Sequence, residues 1–568
     1  MKLKHITKSV KVLGLATLLL AGQSCKDVLN EEVVSGIGNN YINTPKGYQD
    51  AVRAAYSTLR NYYGTQQGLT MTEYGTDIYA TGADGSYKGF HFYDGQLNPT
   101  VDYLAQTWDE LYRGINTCNA VIDRTAAVTG VTDAVKKLRV AEVKFLRAHY
   151  YYLLLMHWGG VDLRMTETLA PTKDTKRASE AEMYAAIIKD LNEAITDLEA
   201  KAQAAEYGRA TKPAAEVLLA KVLLAKAYSS SKAADDFSRA ATLCKNVTTA
   251  YGYKLLDDFA SVFDENNQVN SEVVFAVQYT SDPLTNLTNG VGAVNGGNNL
   301  HLYFGMQYDV QPGMKRDVFY GRPFKRLRPT AYLLNTVFAI ANRGTDSRYK
   351  KTFRDTWLSN NPGNNLNAAS FDNSKSKVSF AAGDTAIFIP GVEWTQAQRA
   401  AKKYQVLVPS AYNEAVFPTL QKFFDTKRPD LTYEAGSRDY FAFRLADVYL
   451  MLAEASLQSN NIADAVTAIN AVRFRAGWAG KKDAMLIAAK DMNLELIIEE
   501  RARELAGEQT RWIDLKRWGL LVERVKLHNP QASAISAIHN VRPIPQTQID
   551  RSAKEADGKS VFPQNTGY

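Results

Sequence analysis

The hydrophobic and polar positions along the chain predict a mainly α-helical protein. Apolar residues recur at helical spacing in windows of about twenty residues, and polar residues occupy the remaining positions. Short polar turns separate successive windows, which indicates stacked helix pairs like those of tetratricopeptide scaffolds. The predicted helices cover 45–63, 104–125, 134–158, 177–201, 212–229, 235–249, 440–457, 462–475 and 484–505.

The helical pattern is interrupted by segments rich in glycine and aromatic residues. Residues 64–103 combine many rings with Gly and Asp, and this composition predicts loops. The run EVVFAVQY at 272–279 predicts a strand. Residues 281–435 are rich in Gly, Asn and Pro, so we expect a large irregular insertion with a few short strands, a common location for binding residues. From Pro543 onward we expect an extended tail.

The N-terminus has the pattern of a secretion signal. Lysines at positions 2, 4, 8 and 11 precede the apolar run Val12–Gly22, which is shorter than the roughly 20 residues that a membrane-spanning helix needs. Residues 1–24 are therefore predicted to be a signal peptide. The following Ser24-Cys25 is similar to a bacterial lipobox and predicts diacylation of Cys25, which would supply the two chains of a stable anchor. An ordinary signal peptide cleaved near Ser24, with Cys25 as a free thiol, is the alternative.

Composition and charge argue against several functions. The formal net charge of +7 falls to +3 without residues 1–24, which hold four lysines and no acid, and this is not typical of nucleic-acid binding. His149 and His157 lie eight positions apart on one predicted helix, roughly 12 Å along its axis, so one zinc ion could not bind both. Patterns typical of a nucleophile or a dinucleotide loop are also missing from the sequence. We expect no catalytic residue, no metal site and no cofactor.

A charge-rich stretch at 499–519 dominates the C-terminal region. Its spacing predicts two helical pieces with paired charges at Glu499/Arg503, Arg501/Glu504, Arg511/Asp514 and Asp514/Arg517. Because most of these acids have a basic neighbour, structural ion pairs beside a Trp-rich core are a better interpretation than a catalytic carboxylate cluster. The residues of this structural signature are Glu500, Arg501, Glu504, Arg511, Trp512, Asp514, Arg517 and Trp518.

Other motifs occur in order along the whole chain. They are AExxFLRA at 141–148, WGG at 158–160, GRATK at 208–212, RLADV at 444–448, INxVRxRAG at 469–477 and PIP at 543–545. Together with the signature at 499–519, they make the chain resemble the SusD/RagB family of Bacteroidetes outer-membrane lipoproteins.

The resemblance implies a tetratricopeptide-like fold, anchored by lipid in the outer membrane and facing outward. Such a protein binds glycans and delivers them to a SusC-like TonB-dependent transporter; the family is not known for catalysis. Ligand contacts in the family come from the N-terminal loop region and the mid-chain insertion. The candidate ligand-binding residues in those regions are Asp77, Tyr79, Asp84, Tyr87, His91, Tyr93, Asn298, Asn299, Tyr303, Trp357 and Trp394.

Alternatives to glycan capture remain open at this point. The protein could be a peptide-binding, RagB-type lid of such a transporter, or a plain tetratricopeptide scaffold for other proteins. A glycoside hydrolase would need two carboxylates at a defined separation, which sequence does not show.

These features divide the chain into successive segments. We expect a signal peptide, a lipidated tether, an N-terminal helical region, a loop-rich ligand-binding insertion, and a C-terminal helical region with its tail. Their respective ranges are 1–24, 25–44, 45–271, 272–435 and 436–568.

Overall fold

The structure, a computed structural model, describes residues 40–282, 285–286 and 297–568. The predicted signal peptide and Cys25 lie outside these ranges. The described part is mainly α-helical, as predicted. Its helices are α1 Pro45–Ser57, α2 Gln66–Thr72, α3 Gly89–Phe92, α4 Asp102–Arg124, α5 Asp133–Trp158, α6 Glu180–Asp197, α7 Lys212–Ala227, α8 Asp236–Ala250, α9 Phe259–Val262, α10 Leu300–Tyr303, α11 Arg348–Thr352, α12 Gln396–Ala400, α13 Leu445–Gln458, α14 Ile462–Ala476, α15 Leu494–Leu505, α16 Arg511–Arg517, α17 Leu521–His528 and α18 Gln546–Arg551.

Long helices that follow one another in the chain pack side by side. Helices α4 to α8 each contact the next, α13 then packs on α8, and α14 packs on α13. Each helix in the middle of the series is therefore covered on both sides by neighbours, and this arrangement produces a continuous apolar core. The predicted scaffold of helix pairs is confirmed.

Local chemistry explains where these helices begin and end. A capping box between Ser179 and Glu182 starts α6. The side chain of Thr132 caps α5 by accepting the N–H of Val135. Helix α5 ends at Trp158, and the next residue, Gly159, has a φ of 76° that favours glycine.

Short strands accompany the helices, and most of them pair antiparallel. They are β1 Tyr79–Thr81, β2 Val273–Val277, β3 Leu327–Pro329, β4 Phe353–Arg354, β5 Thr356–Leu358, β6 Gly363–Asn367, β7 Lys377–Phe380, β8 Thr385–Phe388, β9 Gln405–Val406, β10 Thr419–Leu420 and β11 Tyr440–Arg444. The strand predicted at 272–279 is confirmed as β2. It pairs with β11, and this pairing holds the two ends of the insertion together where they leave the scaffold.

The structure corrects several predicted elements. Residues 440–444 form β11 instead of the start of a helix, because β2, distant in sequence, provides a strand to pair with. Helix α15 begins at Leu494, where the side chain of Asn493 accepts the N–H of Leu496, and short 3₁₀ turns precede it. The tail predicted to be extended contains the short helix α18.

The insertion between β2 and β11 has a hydrophobic core of its own. Met306, Tyr308, Ile387 and Phe417 are among its fully or almost fully buried members. Trp357 lies at its centre, with its ring stacked on Tyr308 at 4.6 Å between centroids. A segment that looked like irregular loops is therefore a small packed unit.

The predicted pair Asp514–Arg517 is confirmed, and it belongs to a wider buried network. Asp514 contacts Arg517 at 3.0 Å and Arg501 at 2.8 Å. Arg517 also donates to Glu454 at 2.7 Å, and Trp518 Nε1 donates to the same carboxylate at 2.8 Å. All of these groups are buried, so the network joins α13, α15 and α16 inside the protein.

Other predicted pairs are wrong, because neighbours on a buried helix contact different packing partners. Arg511 pairs with Asp77 at 2.6 Å rather than with Asp514. Glu504 and Arg501 likewise have separate partners. Glu504 contacts Arg348 and Arg444, and Arg475 as well.

The remaining signature residues lie in the same interior. Glu500 contacts Arg348 at 2.7 Å, Arg473 at 2.8 Å and Arg503 at 2.5 Å, whereas the predicted Glu499–Arg503 pair is longer, at 3.7 Å. The fully buried ring of Trp512 packs against other buried side chains. Its neighbours are His157 at 5.4 Å and the Arg542 guanidinium at 4.3 Å.

Candidate functional site

A cavity of about 220 Å³ lies between α2, α4 and α10, where the N-terminal loop region meets the insertion. Its walls combine primary amides, hydroxyl groups, a carboxylate and tyrosine rings. The lining residues are Asn61, Thr65, Gln66, Gln67, Tyr103, Gln106, Thr107, Glu110, Asn299 and Tyr303.

Helix α4 forms one wall because the relevant side chains recur at spacings of three and four residues. Positions at this spacing lie on one face of a helix. The residues that α4 presents there are Tyr103, Gln106, Thr107 and Glu110.

Helix α2 brings further amides to the opening. The Thr65 side chain caps this helix by accepting the N–H of Gly68 at 3.2 Å, which places Gln66 and Gln67 in the first turn. A Cβ at Gly68 would lie 1.8 Å from the carbonyl oxygen of Tyr62. Glycine is therefore needed for the close backbone approach that positions this turn.

Helix α10 closes the cavity from the insertion side. The backbone N–H of Asn299 donates to the carbonyl of Gly64 at 2.8 Å and so ties the start of α10 to the N-terminal loops. Tyr303, at the other end of α10, is fully buried. The Arg326 guanidinium lies 5.2 Å from its ring centroid and 4.5 Å from that of Phe324.

A pair of stacked tyrosines contributes an aromatic wall to the cavity. Tyr87 stacks on Tyr103 with ring centroids 3.6 Å apart and an interplanar angle of 22°. Burial raises the pKa of Tyr103, so its hydroxyl stays protonated. An apolar ring face with a protonated hydroxyl suits an amphipathic ligand.

The polar groups of the cavity leave capacity for a ligand. Gln67 Nε2 donates to Gln106 Oε1 at 3.2 Å, and Asn61 Nδ2 donates to Glu110 Oε2 at 2.7 Å. Each amide carries two donors and a two-lone-pair acceptor, so one such contact does not saturate it. Arg326 contacts Gln66 Oε1. Amides that both donate and accept match the dual character of hydroxyl groups.

Glu110 contributes the carboxylate of the lining. Burial raises its pKa, and the neighbouring Arg113 guanidinium opposes this rise. Arg113 contacts the carboxylate at 2.8 Å, but its side chain is 69% exposed. Solvent and salt therefore screen that ion pair.

Wider grooves elsewhere have polar groups that are occupied by structural contacts. In a groove of about 470 Å³ beside α1, Arg209 contacts Glu142 at 2.8 Å and Glu206 at 3.2 Å. In another of about 450 Å³, Asn116 and Asn119 hold backbone groups of residues 164–168. The cavity between α2, α4 and α10 is the better candidate. The amides of Gln67 and Gln106 keep hydrogen-bonding capacity there, and they lie beside tyrosine rings.

Three of the predicted ligand-binding residues meet at this cavity. Asn299 and Tyr303 line it, and Tyr87 supports its aromatic wall. Residues from the N-terminal loops and the insertion thus come together, as the family resemblance implies. Their contact with a ligand remains a prediction.

Six other candidates need correction because they are buried among structural contacts and do not line this cavity. Asp77 is the counter-ion of Arg511, and the Asn298 amide donates to the carbonyl of Arg438 at 2.9 Å. Burial lowers the pKa of His91 to about 3, which keeps its imidazole neutral within the core. The remaining corrected residues are core aromatics, Tyr79, Tyr93 and Trp357.

Two predicted residues are accessible but lie outside the cavity lining. Asp84 is exposed and contacts Lys325 at 2.9 Å. Trp394 is half-buried in the insertion, 5.7 Å from Phe388, with Lys402 Nζ 5.6 Å from its ring.

Sequence reasoning missed most of the polar lining. Gln66, Gln67 and Gln106 were not among the candidates, and neither were Tyr103 and Glu110. One feature of the sequence could have identified these residues. On α4, polar and aromatic residues share one helical face, whereas a face that packs on a core is normally apolar.

Two other kinds of site find no support in the described part of the chain. Among these residues, no group of three or more His, Cys, Asp or Glu side chains could hold a metal ion. The described helices include none with the length and hydropathy required to cross a membrane.

Comparison with known proteins identifies the family. Residues 271–568 match the family model described as the SusD family. The chain belongs to the SusD family. A second model, described as starch-binding associating with outer membrane, matches residues 48–224.

Similar SusD-family proteins span most of the chain. "SusD-like protein P25" of Formosa agariphila is 25% identical, with 97% of this chain and 98% of that protein covered. "Starch-binding protein SusD" of Bacteroides thetaiotaomicron is 24% identical, with 79% of this chain and 76% of that protein covered. The solved structure of surface glycan-binding protein A from Bacteroides thetaiotaomicron with laminarihexaose shares the fold, with a TM-score of 0.66 and 21% identity. The match covers 92% of this chain and 99% of that chain.

Proposed function

We propose that this SusD-family protein captures glycans at the cavity between α2, α4 and α10. The observation that carries the proposal is the pairing of primary amides with a tyrosine wall in one cavity. Sugars present both hydroxyl groups, which amides can bind, and C–H faces, which stack on aromatic rings. Relatives named for starch binding and for a laminarihexaose complex support this ligand class.

Binding without catalysis is the favoured role. Glycoside hydrolysis usually requires two carboxyl groups flanking the scissile bond. Among the lining residues, all within the described ranges, Glu110 is the carboxylate, and the others are amides, hydroxyls or tyrosines. The cavity therefore suits capture and release of an unchanged glycan.

The amide rim is expected to set the affinity. Replacing Gln67 and Gln106 together with alanine should weaken glycan binding about 10- to 100-fold, because each lost hydrogen bond costs about 0.5–1.5 kcal/mol. Tyr103→Leu should also weaken binding, since it removes the flat ring face but keeps apolar volume. Calorimetry against a panel of neutral oligosaccharides measures both effects.

Gln203→Ala is the matched control for these variants. Gln203 is exposed, lies outside the cavity lining, and should leave affinity unchanged. Equal affinities for wild type and the double amide variant would contradict the assignment of the site. Binding to peptides, with no binding to any oligosaccharide, would replace the glycan proposal with the peptide alternative.

We also propose that the protein is lipid-anchored at the cell surface and delivers its ligand to a SusC-like TonB-dependent transporter. The lipobox-like Ser24-Cys25 and the family membership support this arrangement. Cys25→Ala should move the protein from the membrane to the soluble fraction and abolish lipid labelling, because no acyl chain could then be attached. The wild type, extracted in detergent, should copurify with a large barrel protein.

Unchanged membrane attachment of Cys25→Ala would contradict the anchor. Ser24→Ala is the control, because alanine is also small and should leave lipidation intact. Extraction without any barrel protein would contradict the transporter partner.

A further inference from the structure

The charge of the cavity lining is set by one side chain. Glu110 is the charged residue among the lining positions, and all of these lie in the described part of the chain. Its side chain is 24% exposed. An amide donor, Asn61 Nδ2, contacts one oxygen at 2.7 Å. A ligand in the cavity therefore meets a partly buried carboxylate whose neighbours in the lining are neutral.

Nearby cations are placed less favourably for contacting a ligand. Arg113 contacts Glu110 from solvent and lies outside the lining, so salt weakens its influence. Arg326 lies against the rings of Phe324 and Tyr303 and contacts Gln66, and it too lies outside the lining. Lys325 is paired with Asp84.

A carboxylate in a partly desolvated cavity distinguishes ligands by charge. It accepts hydrogen bonds from hydroxyl groups, and bonds to a charged acceptor are the stronger ones. It repels a second anion at short range, and this repulsion grows as water is excluded. The carboxylate therefore strengthens the binding of neutral sugars and weakens the binding of uronic acids.

We propose that Glu110 makes the cavity selective for neutral glycans over anionic ones. This inference rests on the proposed function of glycan capture at the same site, and it narrows the ligand class to sugars without carboxylate groups. Glu110 acts as the specificity-determining residue, while the amides and tyrosines supply affinity for any sugar that fits.

The test compares each oligosaccharide with its own oxidised form. The probes are laminarihexaose, maltohexaose, cellohexaose and mannohexaose, each before and after oxidation of its C6 hydroxyls to carboxylates. Calorimetry at low ionic strength should show at least 10-fold weaker binding of the oxidised form of whichever sugar binds wild type. Glu110→Gln should reduce this difference to less than about threefold. It should weaken binding of the neutral form modestly, because Gln retains the shape and an acceptor for Asn61 but loses the charge that strengthens hydrogen bonds from sugar hydroxyls.

Asp109→Asn is the control, because it removes the same charge from the neighbouring position of α4 outside the cavity lining. It should preserve the 10-fold preference. Equal or tighter binding of an oxidised sugar to wild type, or an unchanged preference in Glu110→Gln, would overturn the charge selection and leave glycan capture standing. Failure of both neutral and oxidised sugars to bind would overturn glycan capture itself, and the inference with it.

Discussion

Replacing Glu504 with Gln is expected to lower the free energy of unfolding by about 3–5 kcal/mol. Glu504 is fully buried and contacts Arg348 at 2.9 Å and Arg444 at 2.7 Å, and Arg475 as well. Gln keeps the shape but removes the charge that balances these guanidinium groups. Breaking a buried pair by neutralising one partner is costly because the other charge stays buried.

Urea unfolding monitored by circular dichroism measures this effect. Glu523→Gln is the control, since Glu523 is exposed on α17 and its replacement should change stability by less than about 0.5 kcal/mol. Similar unfolding midpoints for the two variants would show that the network does not hold the scaffold together.

The same network gives stability a defined pH dependence. Burial opposes ionisation of Glu500, but Arg348, Arg503 and Arg473 lower its pKa to about 2. A carboxyl whose pKa is lower in the folded than in the unfolded protein stabilises the fold above its unfolded pKa, about 4.5. This contribution should therefore be lost as pH falls from about 4.5 to 2.

Asp77→Asn is expected to have the second large effect, also a loss of about 3–5 kcal/mol. Asp77 is fully buried and contacts Arg511 at 2.6 Å and Arg524 at 3.2 Å. Asn removes the carboxylate charge that faces both of these arginines. Ligand affinity of the protein that still folds should stay within about twofold of wild type, because Asp77 does not line the cavity.

Asp84→Asn is the matched control, because Asp84 is exposed and its ion pair with Lys325 should contribute less than about 1 kcal/mol. Thermal unfolding and glycan calorimetry on both variants separate stability from binding. An Asp77→Asn protein with normal stability and lost glycan affinity would return Asp77 to the ligand-binding residues.

Much of the scaffold could be predicted from the sequence because its helices are long and periodic. Helix α5, predicted at 134–158, extends over Asp133–Trp158, with a threonine cap at its start and glycine at its end. The boundary at 440–444 could not be predicted in this way. Those residues form a strand only because β2 pairs with them across the insertion.

The candidate site was harder to predict because burial of an aromatic residue depends on tertiary packing. Tyr79, Trp357 and Tyr87 all occur in Gly-rich segments, yet the first two are fully buried and only Tyr87 supports the cavity wall. Composition does not distinguish a ring that packs within a loop from one that faces a ligand.

Amides were missed for a related reason. Isolated Gln residues on a helix are common surface residues, and Gln67 and Gln106 gain significance only because α2 and α4 bring them within 3.2 Å of each other. The two regions that the resemblance names for ligand contacts meet at this cavity, but which of their residues line it depends on the tertiary packing that places α4 and α10 around the same space.

A crystal structure with a bound oligosaccharide would decide whether the cavity between α2, α4 and α10 captures glycans. The oligosaccharide would be the one that binds most tightly in the calorimetric panel. We expect density for at least one sugar ring packed against Tyr103, with hydroxyl groups within hydrogen-bond distance of Gln67, Gln106 or Glu110. An ordered glycan on another surface, such as the one around Trp394, with the cavity between α2, α4 and α10 empty, would contradict this expectation.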